Sequence, residues 1–419
     1  MRLQGLRGAA LLYMLMAHSA SVAAQVDQQR AQQFFKEALA LCQRDNGRLW
    51  GVSICEPIVI GDARTQTFAT SEAPPSDPRP ALIGILMGPV QWGSTMWAAL
   101  TWDGIANQPP RVRNAMILHE SFHIIQPRLG LGIGTVEAEH LDLMEGRYWI
   151  RLEWRALARA LQTSGEPRAA AIRDALAFRQ ARHARFPDKV ETEHALEINE
   201  GLASYTGMVL AAPSSPAAIG DVVEGLTTAD SGESFVRTFA YASGPAYGLL
   251  LDDASPGWTR RIRANDDLAT LLMRALGIQP AVDATAAAAR YGGAGIRAAE
   301  EQREDDRQAR IAELRRRFVD GPVLIMPGGG HGFSDSHGAL VIPGVGTVYF
   351  GDYRQSGEWG VLNATKGVLL STDGRTRRLP APVRGDSTTI TGDGWTFKAA
   401  SGWLIREGAR RGDYEVVKQ

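Results

Sequence analysis

The sequence predicts an α+β protein, with a mixed unit rich in helices and then a small all-β domain. Three observations predict this. Residues 49–102 hold several short apolar runs of strand character, one of which, 90–102, carries Trp92, Trp97 and Trp102. Residues 110–318 then read as one helical segment after another, punctuated by Pro109, Pro110, Pro127 and Pro187. Beyond residue 320 the composition shifts to short apolar runs separated by Gly and Asp, the pattern of antiparallel strands and tight turns. The expected organisation is a leader over 1–24, a mixed unit over 25–319 and an all-β domain over 320–419.

Taken in order, residues 26–44 carry Phe34, Phe35, Ala38, Leu39 and Leu41 at helical spacing. Strands are expected over 49–61, 81–87 and 90–102, with a Pro-rich loop over 74–80. Helices are expected over 112–126, 137–162, 168–185, 189–210, 234–252, 256–276 and 295–318. The last carries Glu300, Glu301, Arg303, Glu304, Asp305, Asp306 and Arg307, a composition that suits a solvated face. In the last hundred residues strands are expected over 323–326, 339–342, 347–350, 361–371, 388–390 and 395–398.

The chain has 419 residues, a hydrophobic fraction of 44% and a charged fraction of 22%, ordinary values for a globular protein. A formal net charge of -1 gives no electrostatic argument for nucleic acid or for an anionic membrane. Arg2 and Arg7, the apolar run 8–17 and Val22-Ala23-Ala24 read as an export signal, too short to span a bilayer comfortably. The mature chain is therefore expected to be exported, periplasmic or secreted, with no stable membrane insertion. Cys42 and Cys55 are the two cysteines; in an exported chain they form either a disulfide or two buried thiols.

His119-Glu120-Ser121-Phe122-His123 is an H-E-x-x-H sequence inside an apolar helical pattern. Residues four apart share one helix face, so both imidazoles can reach one metal ion. Zinc accepts imidazole nitrogen and in catalytic sites keeps a position open for water. Glu120 is then placed to act as general base on that water. The bland alternative is a pair of core histidines with ordinary partners.

Downstream stands Glu197-Ile198-Asn199-Glu200-Gly201-Leu202-Ala203. Together with the H-E-x-x-H sequence, this run resembles the N-E-G-x-A segment of the gluzincin zinc metallopeptidases, the group of thermolysin and aminopeptidase N. The resemblance implies a thermolysin-like catalytic unit and a zinc ion held by His119, His123 and Glu200. It leaves Glu197 as a rival ligand; Glu200 is favoured because it carries the Asn and Gly neighbours. The longer spacing from His123 implies that the helices over 137–162 and 168–185 are an inserted αα-hairpin. Tyr241-Ala242-Ser243-Gly244 is similar to the Y-x-x-G segment of the aminopeptidase N group, which implies that Tyr241 donates to an oxyanion, with Tyr247 and Tyr205 as alternatives.

Two departures matter. The G-x-M-E-N segment that grips a free amino terminus is missing, so aminopeptidase activity is not implied. Ser204 stands where thermolysin-like enzymes carry an Asp that orients a ligand histidine; Asp142 and Glu145 are the candidate replacements. His140, His183 and His194 read as surface residues, and His331 and His337 as incidental histidines of a Gly-rich loop. The function expected is hydrolysis of a peptide or protein substrate, with substrate bound along the edge of a small sheet just before the H-E-x-x-H helix. The alternatives are a binding protein with a structural zinc site and a zinc hydrolase acting on another substrate. The sequence does not fix an oligomeric state.

Overall fold

The computed structural model describes residues 25–132, 134, 136–212, 214–385 and 389–419, with backbone alone for 331–337, 384 and 385. The leader read over 1–24 lies outside the described residues. The protein is mixed α and β, with a largely helical part and a C-terminal curled β-sheet. Contacts divide it into two compact units, Met1–Ile296 and Arg297–Gln419.

The first unit opens with α1 (Gln28–Asp45), capped by the Asp27 side chain. A four-stranded sheet follows, made of β1 (Ile58–Asp62), β2 (Thr67–Thr70), β3 (Gly88–Trp92) and β4 (Thr95–Thr101), in the order β2-β1-β4-β3. β1 and β4 are parallel and the outer pairs antiparallel. Alternation along the strands divides the apolar side chains between two faces. Val59, Val90, Trp92, Trp97 and Ala99 pack on one face, while Ile58, Ile60 and Leu100 meet α1 and Ile117 on the other.

Three strand expectations change here. Residues 90–102 form a hairpin turned at Gly93 and Ser94 rather than one strand, because Gly93 takes a positive φ of 59°. The strand nearest the H-E-x-x-H helix, β4, is therefore interior, and the sheet edge is β3. Residues 81–87 make only an isolated bridge between Ile83 and Leu86, and of 49–61 only the end is strand.

The helices follow in chain order. A single turn α2 (Trp102–Ile105) leads to α3 (Pro110–Ile125), then α4 (Met144–Gln162) and α5 (Gly165–Arg185). α4 starts later than expected, since Glu139–Asp142 is a 3-10 turn. It buries Ile150, Trp154, Leu157 and Leu161 at spacings of four, three and four, the stripe of a core-facing helix. α6 (Val190–Leu196) runs through a π-helical turn, Glu197–Gly201, into α7 (Leu202–Ala211). After them come α8 (Ser215–Asp230), α9 (Thr238–Ala254), α10 (Leu268–Leu276) and α11 (Ala284–Ala288). α8 is a helix the sequence reading passed over: its Ala, Gly and Thr content hides a thin buried stripe of Ala218, Val222 and Leu226. Residues 256–267 are a 3-10 turn and loop, so only the end of the helix expected over 256–276 forms.

Cys42 and Cys55 form a disulfide, closing a loop with a sequence separation of 13. That loop presents Trp50, whose ring packs on Phe122 and Trp258 and whose indole N–H donates to Thr206 at 2.9 Å.

The second unit takes in most of α12 (Gly293–Arg315), so the expected boundary at 320 moves back to Ile296. The reason is a stripe hidden in the charged helix: Ile311, Leu314 and Phe318 pack against Ile342, Val348 and Leu369. The strands are β5 (Val323–Pro327), β6 (His331–Ile342), β7 (Gly346–Gly357), β8 (Gly360–Ala364), β9 (Val368–Ser371), β10 (Thr376–Pro380), β11 (Pro382–Gly385), β12 (Thr389–Gly392), β13 (Trp395–Ala399), β14 (Trp403–Glu407) and β15 (Tyr414–Lys418). They form one sheet in the order β11-β12-β13-β8-β7-β9-β10-β5-β15-β14, with β6 on β7. The expected Gly-rich loop over 331–337 is strand instead, and the side chains of His331 and His337 lie outside the described residues.

Candidate metal centre

α3 and α7 run close together because glycine removes the side chain between them: a Cβ on Gly207 would sit 2.2 Å from the Ala115 carbonyl oxygen. α9 crosses the π-helical turn at a second glycine contact, where a Cβ on Gly244 would lie 2.3 Å from the Gly201 Cα. The glycines of N-E-G and Y-x-x-G thus touch each other. That contact brings Glu200 and Tyr241, one and three residues before them, to the H-E-x-x-H face of α3.

His119, His123 and Glu200 converge. The two Nε2 atoms are 3.1 Å apart, and each is 3.4 Å from Glu200 Oε2. A tetrahedral ion with bonds of about 2.0–2.1 Å has ligand-to-ligand edges of about 3.3–3.4 Å. The triangle of donors therefore has the size such an ion requires, and the three residues fit it. Glu120 also lies by the imidazoles, its carboxylate within 4.8 Å of both donor nitrogens. Glu200 is the better third ligand, because one of its oxygens is equidistant from the two imidazoles at hydrogen-bond range.

Both imidazoles are held from behind. His123 Nδ1 donates to Gln126 Oε1 at 2.9 Å, and His119 Nδ1 hydrogen-bonds Ser204 Oγ at 3.3 Å, so that both Nε2 atoms face the centre. Gln126 in turn donates to the carbonyls of Ile198 and Asn199 at 2.8 and 3.2 Å, tying α3 to the π turn. The other Glu200 oxygen, Oε1, accepts from Arg237 at 3.1 Å and from Asn199 at 3.4 Å. The Tyr241 hydroxyl hydrogen-bonds Glu200, and its ring stacks on His119 at 5.6 Å and 8°.

These contacts set the electrostatics. Burial works to raise the Glu200 carboxyl, but hydrogen bonds from His119, His123 and Tyr241 hold it well below the usual carboxylate range. Burial pushes Glu120 up, and the Glu200 charge adds to this against the two imidazoles. Burial works to lower His123, yet its bonds to Glu200 and Gln126 raise it. Tyr241 is raised by burial and by Glu200, so its phenol stays protonated.

The alternatives left open by the sequence are elsewhere. Glu197 turns into a buried ion network, where it accepts from Arg179, which also donates to Glu153 at 3.2 Å and Asp267 at 2.9 Å. The π turn advances each residue by less than the α-helical rotation of about 100°, so residues three apart point to different sides. Tyr247 donates to Glu153 and Tyr205 to Asp252, each at 2.6 Å, both in the core. The histidines read as surface residues belong to the same network: His140 and His183 meet Glu193 at 2.7 and 3.2 Å, and His194 meets Asp267 at 3.4 Å. Charged helices can turn their charges inward when arginine and carboxylate pair there. Asp142 binds Ser234 and the Phe235 amide, and Glu145 binds Trp149, so neither orients a ligand histidine. Ser204 and Gln126 do that instead.

No protein family, curated protein or solved structure matches this chain. What the chain has in common with metal proteins therefore rests on this geometry alone. It is a His-Glu-His cluster at metal-binding distance, with a further glutamate completing the donors and a polar pocket of about 370 Å³ before it. Sequence reasoning missed Gln126, Arg237 and the role of Ser204. Helical spacing carried the signal: Gln126 is three residues after His123, Arg237 four before Tyr241, and Ser204 four after Glu200. Among the described residues, no helix is long and apolar enough to cross a membrane.

Proposed function

We propose that this chain is an exported zinc-dependent hydrolase of the gluzincin type, with a thermolysin-like catalytic unit, that cleaves amide bonds in peptide substrates. The observation that carries the reading is the donor triangle of His119, His123 and Glu200, open toward a pocket where Glu120 and Tyr241 stand. A zinc ion held by those three residues would polarise a carbonyl and acidify water. Glu120 takes the proton released as water attacks the carbonyl carbon and delivers it to the leaving amine. The protonated Tyr241 phenol donates to the oxygen that becomes negative. Arg237 and Asn199 hold the far oxygen of Glu200, which keeps the near oxygen aimed.

The sheet supports the substrate side of the proposal. Gly88 and Pro89 of the edge strand β3 line the pocket, and β3 pairs only with β4 among the described residues. An extended peptide can add to such an edge. The export half of the proposal rests on the leader reading and on the Cys42–Cys55 disulfide, a bond that persists in oxidising compartments.

The test is zinc content and turnover of the purified chain. About one zinc per chain is expected, lost in Glu200→Ala, while Glu120→Gln keeps zinc and loses nearly all turnover on a peptide panel. A parent chain without zinc after reconstitution sinks the proposal. Zinc without any chelator-sensitive turnover points to a structural site in a binding protein.

A further inference from the structure

A second cavity of about 950 Å³ shares Met87, His119, Glu120 and Tyr241 with the polar pocket and extends away from it. Its walls are helical. From Glu120 back to Arg111 the α3 wall runs about 13 Å, and from Ser204 to Ala211 the α7 wall runs about 10 Å, at about 1.5 Å per residue. Most of the lining is apolar, with Val112, Ala115, Met116, Met208 and Ala211, and it also carries the hydroxyls of Ser204, Thr228 and Thr238. The charged groups on it are Glu120 at the candidate metal centre, the Arg111–Asp221 ion pair at the far end, and Glu224 one turn along α8 from Asp221. The space is thus an elongated apolar trough that starts at the reacting atoms, near the upper size of small-molecule sites.

The walls select among apolar occupants. The backbone N–H and C=O groups of α3, α7 and α8 are used within the helices, methionine, valine and alanine side chains offer no donor, and the hydroxyls of Ser204, Thr228 and Thr238 are too few to pair the amides of a peptide. An extended peptide lying there would leave its amides unpaired in an apolar setting. A hydrocarbon chain has no such groups, and three flexible methionines adapt to it. The amide-rich half of a substrate belongs on the opposite side, with the β3 edge, Gln126, Asn199 and Arg237.

We propose that the trough binds a straight hydrocarbon tail of about eight to ten carbons attached to the scissile carbonyl, so that the substrates are N-acyl amides. The length follows from the walls: carbon–carbon bonds of about 1.52 Å at tetrahedral angles advance about 1.25 Å per carbon. This rests on the hydrolase reading and narrows its substrate. The reaction remains hydrolysis: the water oxygen bonds to the acyl carbon, the C–N bond breaks, and Glu120 returns the proton to the amine. The products are a fatty acid and an amine.

The experiment titrates the zinc-reconstituted chain by calorimetry with straight alkanoates from butanoate to dodecanoate. Kd should tighten about fourfold per methylene, the ratio that about 0.8 kcal/mol gives, and level off near ten carbons. Gly225→Leu narrows the middle of the trough; a Cβ there meets only the Met208 Cε, at 3.9 Å, so the helix accommodates it. The variant should lower the decanoate-to-butanoate affinity ratio at least tenfold. Affinity independent of chain length, or a length profile that Gly225→Leu leaves unchanged, overturns the proposal. Hydrolysis of the matching N-acyl amides is measured in parallel. If alkanoates bind with the expected length profile while no amide is cut, the trough stands as a binding site and the hydrolase reading falls.

Discussion

Replacing Gly244 by alanine tests the contact that assembles the centre. The added Cβ would lie 2.3 Å from the Gly201 Cα, and an ordinary contact needs at least 3.4 Å, so α9 and the π turn must part by about 1.1 Å. Overpacking of this kind costs about 1–3 kcal/mol. The chemical effect should be larger, since Tyr241 and Arg237 ride on the displaced side and both contact Glu200. A misplacement of about 1 Å at a reacting centre costs on the order of a hundredfold in rate. Thermal denaturation and kcat/KM measured on the same samples separate the two effects. Gly220→Ala is the control: nothing lies within 4 Å of its Cβ, so the helix should gain about 0.5–1 kcal/mol. If Gly244→Ala melts with the parent and keeps its rate while Gly220→Ala behaves as expected, the glycine contact does not organise the site.

Two further changes probe what surrounds the ligands. Gln126→Ala removes the acceptor of His123 and the tie to Ile198 and Asn199, and should weaken zinc affinity by about 10–100-fold in a chelator competition, with zinc still bound when in excess. Asp267→Asn should keep the cap on α10 but break the buried pairing with Arg179 and His194, at a cost of about 3 kcal/mol in urea denaturation at pH 7. Burial opposes ionisation of Asp267, yet Arg179, His194 and Thr270 hold its carboxyl below the ordinary value of 3.8. The folded state therefore binds the proton more weakly than the unfolded chain. The stabilisation is complete above the unfolded value and is lost as pH falls through the lower, folded one, so the gap between parent and variant should begin to close only below about pH 4 and shrink steadily from there. A gap that persists in acid would place the effect outside this ionisation.

The ligand face was legible because it is local. His119 and His123 share one helix, and a period of about 3.6 residues puts them together whatever the rest of the chain does. The Asn and Gly neighbours pointed to Glu200 over Glu197, but the π turn that physically separates these two carboxylates is not announced by the composition of 197–201. Gln126, Ser204 and Arg237 were hidden because their value is relational: Ser204 and Arg237 act on a partner in another element, and Gln126 ties His123 to the π turn. The buried histidines misled for the converse reason. Their neighbours in sequence are charged, but those charges pair with one another inside the protein. The edge strand was misplaced by one hairpin, since a short turn at Gly93-Ser94 is enough to exchange the interior strand for the rim. α12 shows the limit of composition: three apolar side chains among many charges decided which unit the helix joins.

The disulfide has a bearing on the order in which the molecule matures. Cys42 and Cys55 close the loop that holds Trp50, and Trp50 braces the back of both metal-bearing helices, through Phe122 beside His123 and through Thr206 two residues beyond Ser204. With the thiols reduced, the loop keeps its packing, the indole hydrogen bond and the bonds that Thr259 and Arg260 give to the Leu49 and Arg48 carbonyls, set against the entropy of a free segment. Oxidation removes that entropy beforehand, since a cross-link over a loop of about fifteen residues is worth about 3 kcal/mol. A chain made under reducing conditions would thus carry a loosely backed metal cradle, and the same chain after oxidation a stiff one. On the metal-site reading proposed above, the redox state of a remote loop then sets when the three donors are first held in place.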